Sequence, residues 1–289
     1  MIFFGTSSLS ILVLERLMEL GLIPDAVVTV TDKPQGRKML MTPPPLKAWA
    51  EERGITVLQF ERLDANAALA LSKAGKGGTR PDVFVVASYG KIIPQAVLDI
   101  PEHGCLNVHP SLLPKYRGAS PMPSTILADE PHTGVVIIQM DSQMDHGPVI
   151  ARKEMDIEPW PLKLSELEML LAKAGADILA EALPSYLAGT GMKEEQDHSK
   201  ATQTSKFKKE DGRISLDELT GDAGWKTYLR FSALEELTGI YFIIKADIRV
   251  KVKQAGWDAD ARQMNILRVT PEGKKEMSWK EFENYEKQQ

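Results

Sequence analysis

The chain has 289 residues, 43% hydrophobic and 26% charged, enough for one large or two ordinary domains, each with its own core. A formal net charge of −5 argues against a protein that grips polyanions with its whole surface, so any nucleic-acid contact has to be local. A single cysteine, Cys105, excludes an internal disulfide framework and fits a reducing cytoplasm, and no apolar run reaches membrane-spanning length.

The opening "MIFF" reads as a short strand, with no basic leader or cleavage site, so no targeting peptide is expected. "GTSSLS" supplies a turn and N-cap residues, and "ILVLERLMELG" has helical periodicity stopped by Gly21. "DAVVTVT" is a second strand, and "KPQGRKMLMTPPPLK" is a Gly/Pro-rich basic loop leading into a Pro-initiated helix. "ITVLQF" is a third strand, a helix follows around Ala65 to Lys73, and "PDVFVVAS" is a near-continuously apolar fourth, as a strand covered on both faces should be. "GCLNVH" is the fifth. This βαβα alternation predicts an α/β fold with a doubly wound, mostly parallel, Rossmann-like sheet whose ligands sit at the carboxyl ends of its strands.

"HTGVVIIQMD" and "GPVIARKEMDI" then read as strands flanking "SQMDHG", followed by a long helix from Lys163 to about Ala188. Residues 189–209 are small, polar and charged, the composition of an interdomain linker. The expected division is a catalytic domain over 1–188, the linker over 189–209, and a second domain over 210–289. That last part holds a helix near "AGWKTYLRFSALEE" and the strand-like "GIYFIIKADIRVKVKQAG" and "QMNILRVTPEG", which suggest a small β-barrel.

Asn107 and His109 are two apart on a strand and therefore share a face, and Pro110 ends the strand beyond them. Asp145 lies in the polar "MDSQMDHG" loop, which the fold can return to the same sheet edge. An amide donor beside an imidazole and a carboxylate suits attack by an amine on a carbonyl-type carbon, with a donor for the oxygen and groups to move protons. The alternative is a satisfied strand-end histidine and an ordinary turn aspartate, and spacing alone leaves both open. "GTSSLS" lacks the G-x-G-x-x-G spacing of a dinucleotide site and reads instead as a substrate-lining turn. Cys105 reads as a buried hydrophobe rather than a nucleophile. His103, His132, His146 and His198 show no ligand spacing, so no metal is expected, and His146 reads as a solvated loop residue. The loop carrying Lys33, Arg37, Lys38 and Lys47 could hold phosphates, or be a plain exposed loop. "RVKVK" puts Arg249, Lys251 and Lys253 on one strand face, which could track a nucleic-acid backbone or simply be solvated.

"LNVHPSLLPKYRGASP" followed by "TGVVIIQMDSQMDHGPVI" resembles the signature of the folate-dependent formyltransferases. The basic loop, "SYGKIIP" and the ending "LRVTPEGKKEMSWKEF" resemble the branch acting on charged initiator tRNA, and the likeness runs through nearly the whole chain. It implies formyl transfer from 10-formyltetrahydrofolate, as co-substrate, to the α-amine of initiator methionyl-tRNA, for translation initiation in the cytoplasm, by a monomer without a metal. It matches Asn107, His109 and Asp145 to the catalytic triad. For the folate pocket it implies Ser88, Tyr89, Gly90, Lys91, Ile92, Ile93 and Pro94; Ser111, Leu112, Leu113 and Pro114 beside the triad; and Gln139, Met140 and Asp141 opposite. Arg37 and Lys38, with Arg249, Lys251 and Lys253 of an oligonucleotide-binding-like barrel, are the implied tRNA contacts. The sequence departs from the family in Lys38, Met39 and Leu40 after the loop arginine, Ser7 in the opening turn, and His146 after the aspartate. A formyltransferase acting on a sugar-nucleotide amine, or a formyltetrahydrofolate hydrolase, would share the triad.

Overall fold

The computed structural model describes residues 1–35 and 39–287 and forms two compact units. Arg37 and Lys38 lie outside the described residues. The first unit comprises Met1–Gly118, Gly134–Met155 and Glu168–Gln203; the second comprises Ala119–Thr133, Asp156–Leu167 and Thr204–Gln289.

A seven-stranded sheet runs in the order Val149–Asp156, His132–Gln139, Cys105–His109, Phe84–Ala87, Ile2–Gly5, Ala26–Thr29, Val57–Gln59. The last five strands of that order are mutually parallel. Ile2–Gly5, Ala26–Thr29 and Phe84–Ala87 are buried along their whole length, as their unbroken apolar runs require. Cys105–His109 pairs in parallel with Phe84–Ala87 and antiparallel with His132–Gln139, where His109 faces Val136 and Asn107 faces Ile138. The sheet is therefore mixed but rich in parallel pairs.

Chain order reverses between Ile2–Gly5 and Phe84–Ala87, and the crevice beyond such a switch point is where open α/β sheets take ligands. One hydroxyl ties the two strand ends together. Ser10 Oγ accepts from the backbone N–H of Thr6 (2.8 Å) and Ser7 (3.2 Å) and donates to the carbonyl of Ala87 (2.7 Å). The long helix Leu164–Leu187 contributes Gly175, where a Cβ would stand 2.5 Å from Val108 Cγ1. The missing side chain lets the helix backbone lie directly on the strand that carries Asn107 and His109.

Part of the basic loop is a short antiparallel hairpin, Lys33–Gln35 against Leu40–Thr42. Strands of three residues, one of them proline, carry too little pattern to be read in advance. In the second unit, helix Gly221–Leu234 accompanies an antiparallel sheet, Tyr241–Ile244, Ile248–Asp258, Gln263–Pro271 and Met277–Ser278, in that order. The strand-like stretch "GIYFIIKADIRVKVKQAG" forms two strands, separated by a turn at Lys245–Asp247 with Asp247 in the left-handed region (φ 58°). Phe282 of helix Trp279–Lys287 is fully buried, edge-on to Phe242 at 5.6 Å. No helix among the described residues is long and apolar enough to cross a membrane.

Cys105 is buried in the core formed by Ile2, Phe4, Val86 and Val97 among others. Burial pushes its thiol up to about 12, so the folded state holds it protonated. An unfolded thiol ionises near 8.5, so stability from this group is fully present below that pH and is lost as pH rises toward 12, by about 1.4 kcal/mol per pH unit. Denaturant titrations from pH 8 to 10.5 should show this slope lessened in Cys105→Ala, and thiol labelling at pH 8 should require denaturant.

Candidate active site

Asp145 sits in the loop Asp141–Gly147 with φ 49°, a left-handed conformation in which Asp and Asn are over-represented. Its Oδ2 accepts a hydrogen bond from the backbone N–H of Gly118 at 2.7 Å. Its Oδ1 receives Asn107 Nδ2 at 3.4 Å and lies 3.6 Å from His109 Nδ1. The two strand side chains thus converge on one carboxylate oxygen from the next polar loop of the sheet edge. The imidazole side chain is 4% exposed and the carboxylate 13%, so charge developed at either group acts on the other under little screening.

His109 Nε2 faces the carbonyl of Tyr116 at 3.2 Å, a contact that requires a proton on that nitrogen. With a carbonyl at one ring nitrogen and a carboxylate at the other, both acceptors are served when the ring carries two protons. The loop is held from within as well. Asp141 Oδ1 accepts from Gln143 N–H (2.8 Å), and its Oδ2 lies 2.7 Å from His146 Nδ1. His146, expected as a solvated loop residue, is instead hydrogen-bonded to Asp141 and stacked on His198, with ring centroids 4.0 Å apart. Composition gave no sign that a ring from residue 198 would cover it.

Gly147 closes the loop where a Cβ would fall 1.8 Å from the carbonyl oxygen of Gln139. Gly147→Ala must displace the segment bearing Asp145, and kcat in the folded variant should fall about 10²-fold, since a shift near 1 Å is enough for that.

The remaining residues singled out from the sequence divide by where they point. Ser88 (φ 50°) and Gly90 lie at the switch point, Ser7 Oγ donating to Ser88 Oγ at 2.8 Å and Gly90 N–H to Thr6 Oγ1 at 3.3 Å. Tyr89 turns its ring inward, edge-on to Phe4 at 5.4 Å, with its hydroxyl buried, lacking a partner among the described residues and pushed up to about 12 by that burial. Lys91 is anchored through Nζ on the carbonyls of Phe60 and Glu61 (2.6 and 2.8 Å). Ile92 is 83% exposed beside the buried Ile93, and Pro94 caps the helix Gln95–Leu98.

Ser111 is buried, its hydroxyl donating to the carbonyl of Lys115, and Leu113 packs with Val136, Ile138 and Val149. Leu112 packs near Gly134, and the carbonyl of Pro114 accepts from Thr202 N–H at 3.3 Å. Gln139, Met140 and Asp141 line an open cleft of about 550 Å³ with Arg80, His103 and Lys193. In the second unit Lys251 and Lys253 are exposed, whereas the guanidinium of Arg249 lies 4.2 Å over the ring of Tyr241. No group of acidic, histidine or cysteine side chains among the described residues could hold a metal.

Two contributions to the site had no signal in the sequence: the backbone N–H of Gly118, and Gln196, which sits buried against the Asp145 loop. A backbone donor has no residue signature, and one glutamine in a polar run looks like any other.

The chain matches the family model described as Formyl transferase over residues 1–183. It is 44% identical over 213 residues to the methionyl-tRNA formyltransferase of Chloroflexus aggregans, covering 74% of this chain and 67% of that one. With the methionyl-tRNA formyltransferase of Dictyoglomus thermophilum it shares 36% identity over 307 aligned positions, covering 98% of this chain and 96% of the relative. Its fold is that of a solved methionyl-tRNA formyltransferase from Clostridium thermocellum, with a TM-score of 0.60 at 16% identity over 96% of this chain and 98% of the other.

Proposed function

The chain belongs to the formyl transferase family, among the methionyl-tRNA formyltransferases, and on that premise we propose that it moves a formyl group from 10-formyltetrahydrofolate to the α-amine of initiator methionyl-tRNA. The observation that carries the reading is the meeting of Asn107, His109 and Asp145 on one carboxylate oxygen, from segments 38 residues apart.

In this reading the amine nitrogen attacks the formyl carbon, and the carbonyl oxygen becomes an oxyanion held by the Asn107 amide and a proton of His109. Asp145 keeps that imidazole charged and accepts the proton lost by the amine. Collapse of the tetrahedral intermediate breaks the bond to folate N10, which takes up a proton through the same carboxyl. The products are formylmethionyl-tRNA and tetrahydrofolate, with no net proton change. Each step needs groups this chain supplies.

The folate is assigned to the crevice beyond the switch point, between Ser88–Pro94 and Gln139–Asp141, with Ser111–Pro114 shaping the wall beside the triad. The catalytic domain is assigned to 1–188 and a tRNA-binding barrel to 210–289, acting through Lys251, Lys253 and Arg249 and joined by Arg37 and Lys38 of the basic loop. Of the linker expected over 189–209, residues 189–203 group with the first compact unit, while 119–133 and 156–167 group with the second. The protein works as a cytoplasmic monomer. The deciding experiment offers the purified protein 10-formyltetrahydrofolate with initiator methionyl-tRNA, elongator methionyl-tRNA, an amino-sugar nucleotide, or no amine. Formylation of the initiator tRNA in preference to the others is expected. Preference for the sugar, or formate release without an acceptor, overturns the assignment.

A further inference from the structure

Gln196 is 7% exposed, although it stands in the polar run after helix Leu164–Leu187. Every hydrogen-bonding position of its amide that faces the loop is used. Nε2 donates to the carbonyls of Asp145 (2.9 Å) and Gly147 (2.7 Å), and Oε1 accepts from Nε (3.2 Å) and Nη2 (2.7 Å) of Arg117. Two carbonyls on one side and a guanidinium on the other fix which end of the amide is nitrogen.

Arg117 is itself 5% exposed and brings Nη2 to 2.8 Å from His198 Nδ1. A guanidinium only donates, so that ring nitrogen offers its lone pair. The His198 ring then stacks on His146, whose Nδ1 holds Asp141. The residue after Arg117 is Gly118, whose N–H binds the Asp145 carboxylate. The segment 196–198 therefore holds the loop through residues 145–147, and its guanidinium partner lies next to the backbone donor on Asp145.

The backbone at Asp145 is in the strained left-handed region and persists only where its surroundings hold it. We propose that Gln196 is a positioning residue for formyl transfer: it clamps the carbonyls on either side of the Asp145–Gly147 turn so that the carboxylate stays on Asn107 and His109. This inference rests on the catalytic reading of Asp145 given above.

The test replaces Gln196 by Glu, which keeps the acceptor facing Arg117 and sets an oxygen against the two carbonyls where the donor stood. In the intact protein kcat for formylation of initiator methionyl-tRNA should fall about 30-fold, with KM for both substrates within about threefold, because the loss is one of alignment. In an Asp145→Asn background the same substitution should change kcat by less than about twofold, since it acts through that side chain. Should Gln196→Glu not fold, Gln196→Asn keeps the neutral amide, loses its reach and carries the same expectations. Full kcat in the folded variant, or an equal loss in both backgrounds, overturns the positioning role. If Asp145→Asn alone keeps wild-type transfer, it is the catalytic reading that fails.

Discussion

Asp145→Asn is expected to lower kcat for formyl transfer about 10³-fold while the protein stays folded and binds folate with little change. Asparagine is the informative replacement because residue 145 sits at φ 49°, where alanine would add backbone strain and asparagine does not. The amide oxygen can still accept from Gly118 N–H, as Oδ2 does now at 2.7 Å. Its NH2 group then faces Asn107 Nδ2, a donor against a donor, and His109 Nδ1. The imidazole can accept that N–H only by giving up its own proton at Nδ1, since Nε2 needs its proton for the carbonyl of Tyr116. The ring is left neutral, with no proton to offer an oxyanion and no carboxylate beside it to take one from the amine. Steady-state kinetics with a folate titration on the same sample check this. A loss of folate binding equal to the loss of rate would mean that the residue serves the pocket and not the chemistry.

His109→Gln carries the second large effect. A glutamine amide can reach the carbonyl of Tyr116 from where Nε2 now stands at 3.2 Å, so the anchor survives while the nitrogen facing Asp145 disappears. The transition state loses a charged donor and Asp145 loses its partner, and kcat should fall about 10²- to 10³-fold. His109→Asn inverts the experiment, offering an amide near the Nδ1 position and none at Nε2. It should retain more rate than the glutamine if the proton facing Asp145 is the one that matters, and it should cost more stability, because the partly buried contact with the carbonyl of Tyr116 loses its side-chain donor. Kinetics and thermal unfolding of the two variants separate the roles of the two nitrogens.

Much of this arrangement was legible before any coordinates. The period-two spacing of Asn107 and His109 and the stop at Pro110 gave a shared face and a strand end, and Cys105–His109 is the observed strand. The apolar runs at Ile2–Gly5, Ala26–Thr29 and Phe84–Ala87 announced a sheet covered on both sides, which is how they are buried. What was not legible is what holds the loop. Gln196 acts through distances to Asp145 and Gly147 that span about fifty positions of chain, and no local pattern distinguishes a glutamine that clamps from one in water. The same holds for Lys91 and Tyr89. Their residue types suggest side chains offered to a ligand, yet one is tied to the carbonyls of Phe60 and Glu61 and the other turns onto Phe4. A charged or aromatic residue in a binding segment can be there to hold the segment's own backbone in place.

Gly147 is an intermediate case. Its place at the end of a polar loop is plain from the sequence, but only the 1.8 Å approach of a hypothetical Cβ to the carbonyl oxygen of Gln139 shows that any side chain would move Asp145.

The three polar side chains should behave as one unit, because Asn107 and His109 meet at a single oxygen of Asp145. The most direct measurement is the single-turnover rate of formyl transfer in the His109→Gln/Asp145→Asn double variant, at saturating folate and tRNA, beside each single variant. The expected result is a rate about equal to that of the worse single variant, some 10³-fold below wild type, as for groups that work together on one transition state. Losses that multiply, leaving the double variant slower by the product of the two single effects, would contradict it.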